Sequence, residues 1–260
     1  MRKVFEPVIF YGDPHGDWQP LLDEIDEKTD TVFIMGDLAE AKRHPEHLDS
    51  AREALRMLIS KGIRVRFIVG NHDTDTDAIH ALVFEEFREM LLECQVLTIG
   101  QSQFRVAGLG GVIRGKVWTG DDEPTFYSPA DLMAVTPKHE RFRGGLPRKQ
   151  QGTIFPSSVA TLAQRGTDIL LTHEAPSCHP RGFGFIDDLS QSMGASLIVH
   201  GHHHVAYSDR LNNGVLVRGL GRAEVWKPNL TDMLSQQKMI MAGRDSLSQR
   251  WEVYDKLKDC

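Results

Sequence analysis

Three short apolar segments within the first seventy residues each run into glycine and a polar cluster. They are VIFYG at 8–12, TVFIMG at 31–36 and IRVRFIVG at 63–70. Apolar runs of this length that are rich in β-branched residues are typical of buried strands. Because longer amphipathic segments separate them, the pattern predicts an α/β fold with the polar clusters at the strand ends.

Two amphipathic segments are predicted to be helices. Residues 45–62 begin with Pro45, which suits the first helical position, and end in Gly62, which suits a C-terminal cap. Residues 77–93 carry apolar side chains at a helical spacing. We predict further strands at 103–108, 168–172, 196–200 and 214–219.

The chain of 260 residues is long enough to bury one core, and we predict a single domain over 1–260. Residues 112–152 have mixed charge, several glycines and little periodicity, which indicates an insertion. Loops this long inside a compact domain often cover a site, so we predict that the insertion is a lid. The tail at 227–260 is predicted to form one or two helices of unassigned position.

Charge and cysteine content limit the partners. The formal charge is −6, and no block of like charge suggests a nucleic-acid arm or a membrane tether. Three widely spaced cysteines, an odd number, fit a reducing compartment. With neither a signal-peptide core nor a membrane-spanning run, the expectation is a cytoplasmic protein without a membrane partner.

Polar residues that bind divalent metals follow the predicted strands in five places. They are Asp13 and His15 in GDPHGD, Asp37 and Glu40 in GDLAE, Asn71, His72 and Asp73 in GNHD, His173 in THE, and His202 and His204 in GHHH. In open α/β sheets the loops beyond the carboxyl ends of the strands converge on one crevice, so these clusters are expected to meet.

The donor types limit the cation. Imidazole, carboxylate and amide together suit Mn²⁺, Fe²⁺, Zn²⁺ or Ni²⁺, whereas a structural zinc site usually contains several cysteines. One ion cannot use this many ligands. Two ions about 3.5–4 Å apart can do so if a carboxylate bridges them, and such a pair suits displacement at phosphorus.

Each cluster taken alone also fits a structural role. Asp13 can cap a helix, Asp37 and Asn71 can form turns, and a lone His173 is more often a hydrogen-bonded core histidine than a ligand. Their order along the chain is more specific. D-x-H, G-D, G-N-H-D, a single histidine and G-H-x-H resemble the calcineurin-like metallophosphoesterases over about residues 8 to 220.

The resemblance implies a fold and a set of ligands. The fold should be a four-layer α/β/β/α sandwich of two mixed sheets with flanking helices. Asp37 should bridge two divalent ions. The first ion should also bind Asp13, His15 and His204, and the second should bind Asn71, His173 and His202. Of the remaining histidines in the cluster, His203 should point away and His200 should support the loop.

The resemblance also implies a mechanism. A hydroxide that bridges the ions should attack phosphorus without a covalent enzyme intermediate. His72 should act as an acid or stabilise charge on the phosphoryl group, with Glu40 at the position of the residue that orients it. GDLAE and VGNHD lack the arginines of the protein serine/threonine phosphatases, which argues against that branch.

We therefore predict a phosphodiesterase or phosphatase that acts on a nucleotide-like or other small phosphate ester, with Mn²⁺ supporting activity. Arg114 follows the glycine-rich GLGGVI and is predicted to bind the substrate, whereas the other basic side chains of the insertion are expected to be solvated. A nuclease and a non-catalytic binding module are the alternatives. The absence of a basic stripe argues against the first, and the complete ligand set argues against the second. The oligomeric state is left open.

Overall fold

The computed structural model describes residues 7–239 of the chain. Strands and helices alternate through most of this range. In chain order they are β1 (Val8–Tyr11), α1 (Gln19–Glu24), β2 (Thr31–Ile34), α2 (His47–Ser60), β3 (Arg64–Phe67), α3 (Asp77–Ala81), β4 (Val96–Ile99), β5 (Phe104–Leu109), α4 (Pro129–Val135), α5 (Pro156–Ala163), β6 (Ile169–Thr172), α6 (Gly184–Met193), β7 (Leu197–His200), β8 (Tyr207–Arg210), β9 (Leu216–Gly219) and β10 (Val225–Trp226).

The strands form two mixed sheets. The first has the order β10-β1-β2-β3, and the second has the order β4-β5-β6-β7-β9-β8. Strands β1, β2 and β3 are parallel, as are β5, β6, β7 and β9. The antiparallel strands β4, β8 and β10 lie at sheet edges. The carboxyl ends of the parallel strands therefore supply most of the loops in which the polar clusters lie.

Successive side chains of each strand point to opposite faces of the sheet, so they pack in different layers of the core. In β1, Val8 and Phe10 pack in a cluster shared by the two sheets, whereas Ile9 and Tyr11 pack towards the helices. A third cluster joins the outer face of the second sheet to α5 and α6. Both sheets are thus buried on two faces, and the predicted four-layer α/β/β/α sandwich is confirmed. Within residues 7–239, no helix combines the length and the apolar character needed to cross a membrane.

The predicted helix at 77–93 is wrong beyond its first turns. Only α3 is α-helical there, and it is followed by a π-helical turn at Leu82–Glu86 and a 3-10 turn at Arg88–Met90. The chain then leaves the helix because Leu92 donates its backbone N–H to Phe67 at the end of β3, at 2.8 Å. Pairing with the sheet therefore overrides the helical periodicity of this segment.

The insertion at 112–152 has more structure than its sequence indicates. It contains α4, whose N-terminus carries a capping box formed by Ser128 and Asp131. Val117 and Leu132 pack with Phe155 in a small cluster of their own. The described part of the tail, up to residue 239, is helical over 230–239, and the remainder of the predicted tail helices lies outside the described residues.

Candidate active site

The seven predicted metal ligands all lie in loops at the carboxyl ends of parallel strands. These ligand loops, residues 12–17, 36–40, 70–75, 173–174 and 201–204, follow β1, β2, β3, β6 and β7. The structure brings five of their side chains together in two groups, and Asp13 and Asn71 lie beside these groups. In each group the ligand atoms lie within 4.8 Å of one another, and Asp37 belongs to both.

The first group contains His15, Asp37 and His204. The Nε2 atoms of His15 and His204 are 2.9 Å apart, and His15 Nε2 is 3.5 Å from Asp37 Oδ2. Asp13 adjoins this group, with its Oδ2 3.7 Å from His204 Nε2. All four residues predicted for the first ion are therefore neighbours.

The second group contains Asp37, His173 and His202. His173 Nε2 lies 3.4 Å from Asp37 Oδ2 and 3.1 Å from Asn71 Oδ1. The Nδ1 atom of His173 is 2.6 Å from the carbonyl of Met35, to which it donates. This hydrogen bond fixes the ring so that Nε2 faces the group, as is common for metal-binding histidines.

Five of the seven side chains project from strained backbone. Their φ values lie between 29° and 69°, in the left-handed region that non-glycine residues rarely adopt. These residues are Asp13, His15, Asp37, His202 and His204. Each such residue costs on the order of 1–3 kcal/mol, which the surrounding structure must offset.

Asp73 holds two of the ligand loops in place. Its buried carboxylate accepts hydrogen bonds from the backbone N–H groups of Asp37 at 2.9 Å, Leu38 at 2.9 Å and Gly70 at 2.7 Å. His72 adds a further link, since its N–H donates to Asp37 Oδ1 at 2.7 Å. The motif GNHD placed Asp73 among the candidate metal-binding residues, whereas its carboxylate binds backbone N–H groups.

Two glycines allow the carboxylates to approach the backbone. A Cβ atom at Gly70 would lie 2.2 Å from Asp37 Oδ1, and one at Gly201 would lie 2.3 Å from Asp13 Oδ1. Either contact is too short for a larger residue. The glycines of the GN and GH motifs therefore make room for the predicted ligands Asp37 and Asp13.

The donor set fits divalent cations. Asp13 Oδ1 is buried and has no hydrogen-bond partner among residues 7–239. Burial raises the pKa of Asp13 to about 8, and the Asp37 carboxylate adds to that shift. A bound cation would offset both the desolvation and the repulsion between these carboxylates.

The histidines of the two groups differ in protonation. Burial lowers the pKa of His15 to about 4 and that of His202 to about 3, so both rings are neutral and able to bind a metal near pH 7. Burial also disfavours the charged form of His173, but the Asp37 and Asp13 carboxylates outweigh it and raise its pKa to about 10. In the cation-free chain, the proton on His173 supplies a positive charge beside the Asp37 carboxylate.

His72 lies beside the first group, with its ring centroid 5.2 Å from that of His15. The side chain is partly exposed, and its Nδ1 atom is 2.8 Å from Asp75 Oδ2. The predicted partner Glu40 is more distant, with Oε1 3.8 Å from His72 Nδ1 and Oε2 3.3 Å from His15 Nδ1. Asp75 is thus a neighbour that sequence analysis missed, although it is three residues after His72.

Two arginines lie near the ligand groups. Arg114 is half-buried, and its Nε atom has no hydrogen-bond partner in the described chain. Burial lowers its pKa, while the carboxylates of Asp75 and Glu174 act in the opposite direction. Arg222 is exposed in the loop between β9 and β10, and its charge adds to the effect of burial in lowering the pKa of His15. Sequence analysis did not identify Arg222, because no motif marks that loop.

His203 of the GHHH motif and His200, which directly precedes the motif, have different contacts. His200 is buried in β7, with its Nε2 atom 2.7 Å from the Tyr207 hydroxyl. The His203 ring stacks on His179 with a centroid distance of 3.9 Å and belongs to neither group that contains Asp37. His203 does approach His202 and Glu174, whose ligand atoms lie within 4.8 Å of its own.

Comparisons with known proteins agree on one family. The family model for calcineurin-like phosphoesterases matches residues 6–206 of this chain. An uncharacterized protein from Haemophilus influenzae is 34% identical over 216 residues, which cover 82% of this chain and 90% of that protein.

Solved structures of similar fold are more distant in sequence. A phosphopantetheinyl hydrolase from Mycobacterium tuberculosis has a TM-score of 0.52 at 16% identity, over 85% of this chain and 91% of its own. A 5'-nucleotidase from Candida albicans SC5314 has a TM-score of 0.50 at 13% identity, over 84% of this chain and 46% of its own. The chain therefore belongs to the calcineurin-like phosphoesterase family and is a metal-dependent phosphoric ester hydrolase.

Proposed function

We propose that this hydrolase cleaves a small phosphodiester or phosphomonoester and holds two divalent ions through the seven predicted ligands. The position of Asp37 is the observation that carries the proposal. Its Oδ2 atom lies 3.5 Å from His15 Nε2 and 3.4 Å from His173 Nε2. One carboxylate is therefore within reach of two donor groups, as a bridging ligand must be.

Mn²⁺ is the ion that we expect to support activity, although the donor set also suits Fe²⁺, Zn²⁺ and Ni²⁺. When bound, two such ions would lower the pKa of water until hydroxide can attack phosphorus near neutral pH. The neutral rings of His15 and His202 and the unpartnered oxygen of Asp13 would bind them.

His72 is the residue that we propose to protonate the leaving oxygen or to stabilise charge on the phosphoryl group. Its Nδ1 atom faces the carboxylate of Asp75 at 2.8 Å, which leaves Nε2 as the ring nitrogen for the substrate. Glu40 is proposed as a positioning residue, because it lies between the His15 and His72 rings.

The substrate that we propose is a compact anion, such as a nucleotide-like ester. Arg114 lies near the carboxylates of Asp75 and Glu174. In addition to burial, the charge of Arg222 contributes to lowering the pKa values of His15 and His204. Guanidinium groups beside both ligand groups favour a substrate with more negative charge than one scissile phosphate carries. The insertion at 112–152 is proposed to cover this substrate.

The alternatives have less support. A nuclease would use an excess of basic side chains along a nucleic-acid backbone, whereas this chain has a formal charge of −6. A non-catalytic binding module would not need all seven ligand positions filled. The cytoplasmic location stays a prediction from the cysteine content.

Hydrolysis of bis(4-nitrophenyl) phosphate and of 4-nitrophenyl phosphate tests the proposal, with metal content measured on the same samples. We expect about two ions per chain and turnover with Mn²⁺. His72→Ala should keep the ions and lose about 10²- to 10⁴-fold in turnover, because general acid catalysis is worth that much. Asp37→Ala should lose the ions as well.

Asp188→Asn is the matched control, since Asp188 is an exposed carboxylate on α6. It should change neither metal content nor turnover. Metal-loaded protein that is inert towards both esters would overturn the proposed function. A fully active His72→Ala protein would remove only the role of His72.

A further inference from the structure

A second set of metal-binding side chains lies at the surface, outside the active site. His44, Glu46 and His47 stand at the start of α2, and one ligand atom from each lies within 4.8 Å of the others. None of the three was among the predicted ligands of the two ions. The active-site proposal therefore leaves this cluster without a role.

The cluster is compact although two of its side chains are exposed. The rings of His44 and His47 stack with a centroid distance of 4.8 Å, and His44 Nδ1 is 3.2 Å from Glu46 Oε1. The His47 side chain is half-buried, and its Nδ1 atom is buried without a hydrogen-bond partner in the described part of the chain. Buried polar atoms are normally satisfied, so this imidazole lacks the partner that it would be expected to have.

The backbone holds the three residues in one turn. His44 donates its N–H to the carbonyl of Glu40 at 2.9 Å, and His47 donates to the carbonyl of His44 at 3.0 Å. Pro45 restricts φ within the turn. Little backbone entropy would therefore be lost when a ligand binds to this turn.

The turn also contacts two of the ligand loops. A Cβ atom at Gly16 would lie 2.2 Å from His47 Cγ, so the His47 ring packs directly on the residue after His15. At the other end, the carbonyl of Glu40 anchors His44, while the Glu40 carboxylate reaches His15 and His72. A ligand at the cluster would therefore bind a turn that adjoins the active site.

We propose that His44, Glu46 and His47 form a third divalent-cation site, which is distinct from the two-ion centre. Two imidazoles and one carboxylate select a borderline cation such as Zn²⁺, Ni²⁺ or Cu²⁺ over Mg²⁺ or Ca²⁺, which prefer oxygen ligands. The side chains of His44 and Glu46 are 54% and 69% exposed, so water completes the coordination and binding is weaker than in the buried centre. The bound cation fixes the turn that begins at Glu40.

Zinc binding to the full-length protein, with any affinity tag removed, tests this proposal. Native mass spectrometry and equilibrium dialysis should detect one zinc ion per chain beyond those of the active site. His44→Ala should weaken that last binding step at least about tenfold, because it removes one of three ligands. His44 is more than half exposed, so this substitution leaves the core unchanged.

His139→Ala is the matched control, because His139 is an exposed histidine beside a single carboxylate, Glu140. It should bind zinc as the unsubstituted chain does. Electron paramagnetic resonance of Cu²⁺ bound at the surface site gives a second measurement. The spectrum of the His44→Ala protein should show one nitrogen ligand fewer than that of the unsubstituted chain. Equal zinc binding by the His44→Ala protein and the unsubstituted chain would overturn the proposal.

Asp37→Ala separates this result from failure of the proposed function. That variant should lose the ions of the active site and keep the surface zinc, since Asp37 is not part of the cluster. Loss of the surface zinc in the Asp37→Ala protein would mean that the third site is not distinct from the two-ion centre, and would also overturn the proposal.

Discussion

The ligand loops and the insertion at 112–152 differ in how much of their structure is held by buried hydrogen bonds. In the ligand loops, buried carboxylates accept backbone N–H groups, as Asp73 does from Asp37 and Leu38 in the loop after β2 and from Gly70 in its own loop. The insertion is more exposed and has a small core formed by Val117, Leu132 and Phe155. Its ties to the rest of the chain include side-chain contacts such as that of Gln151 with His80, at 2.7 Å.

This difference matches the roles that we propose for the two regions. Metal ligands must keep their distances within fractions of an ångström, which favours short loops that are fixed by buried hydrogen bonds. A segment that covers a substrate must open, which favours fewer and more exposed contacts. The two regions should therefore respond differently when one of their contacts is removed.

The largest expected effect is the loss of the Asp73 carboxylate. Asp73→Ala would leave three backbone N–H groups without their acceptor, each at a cost of about 1–3 kcal/mol. We expect a decrease of at least about 3 kcal/mol in the free energy of unfolding, together with weaker metal binding. Denaturant unfolding and metal analysis of the same protein measure both quantities.

Asp49→Ala is the control for that substitution. Asp49 is an exposed carboxylate on α2, and its ion pair is with Arg52, three residues further along the helix. Its removal should change the free energy of unfolding by less than about 1 kcal/mol. If Asp73→Ala had an equally small effect, buried hydrogen bonds would not be what distinguishes the ligand loops from the insertion.

A second, smaller effect concerns protons in the ligand loops. The pKa values of His173 and Asp13 are raised in the cation-free chain, so both groups hold protons at pH 7. Cations must displace these protons, and their affinity should therefore rise with pH, by about tenfold per pH unit for each proton released. Calorimetric titration with Mn²⁺ in two buffers of different ionisation enthalpy measures how many protons are released when the cations bind.

The sign of this effect follows from the direction of the shifts. When the pH rises through the pKa values of Asp13 and His173, these groups lose the protons that compete with the cations. When the pH is below both pKa values, both groups hold protons and the competition is strongest. Protein that already holds its ions should show no proton release when more Mn²⁺ is added. A binding enthalpy that is identical in the two buffers would show that neither His173 nor Asp13 gives up a proton.

The parts of the fold that sequence predicted best are those with a repeated local signal. Strands β1, β2 and β3 fall within the predicted segments, and the polar residues after them lie together. Edge strands β4, β8 and β10 were missed because their pairing with neighbours, rather than their own sequence, defines them. The helix predicted at 77–93 was wrong for a similar reason, since the contact of Leu92 with Phe67 ends it.

In the candidate site, too, features with a local sequence signal were predicted and features that depend on tertiary contacts were missed. Ligand types and their order could be read from the motifs, whereas the contact between Asp75 and His72 depends on the 3-10 turn at His72–Thr74. Arg222 was missed because it approaches His15 and His204 only through the folding of the loop after β9. Contacts between loops depend on tertiary structure, which periodicity and motifs do not encode.

The smallest expected effect comes from a contact that joins the two regions. Arg148 was expected to be solvated, but its guanidinium donates to the carbonyls of Thr74 at 3.0 Å and Asp75 at 2.9 Å. Arg148→Ala should therefore loosen the insertion beside the residue that contacts His72, and we expect kcat/KM to fall by about 3- to 10-fold while metal content stays the same. Steady-state kinetics on a 4-nitrophenyl ester measure this ratio.

Arg141→Ala is the matched control, because among residues 7–239 Arg141 donates only to carbonyls within the insertion itself, those of Thr136 and Met133, each at 3.0 Å. If the insertion affects catalysis through its tie to the ligand loops, Arg141→Ala should change kcat/KM by less than about twofold. Equal losses in the two variants would mean that the internal order of the insertion matters more than its attachment. No loss in either variant would argue against a covering role, because a cover must be coupled to the site that it closes.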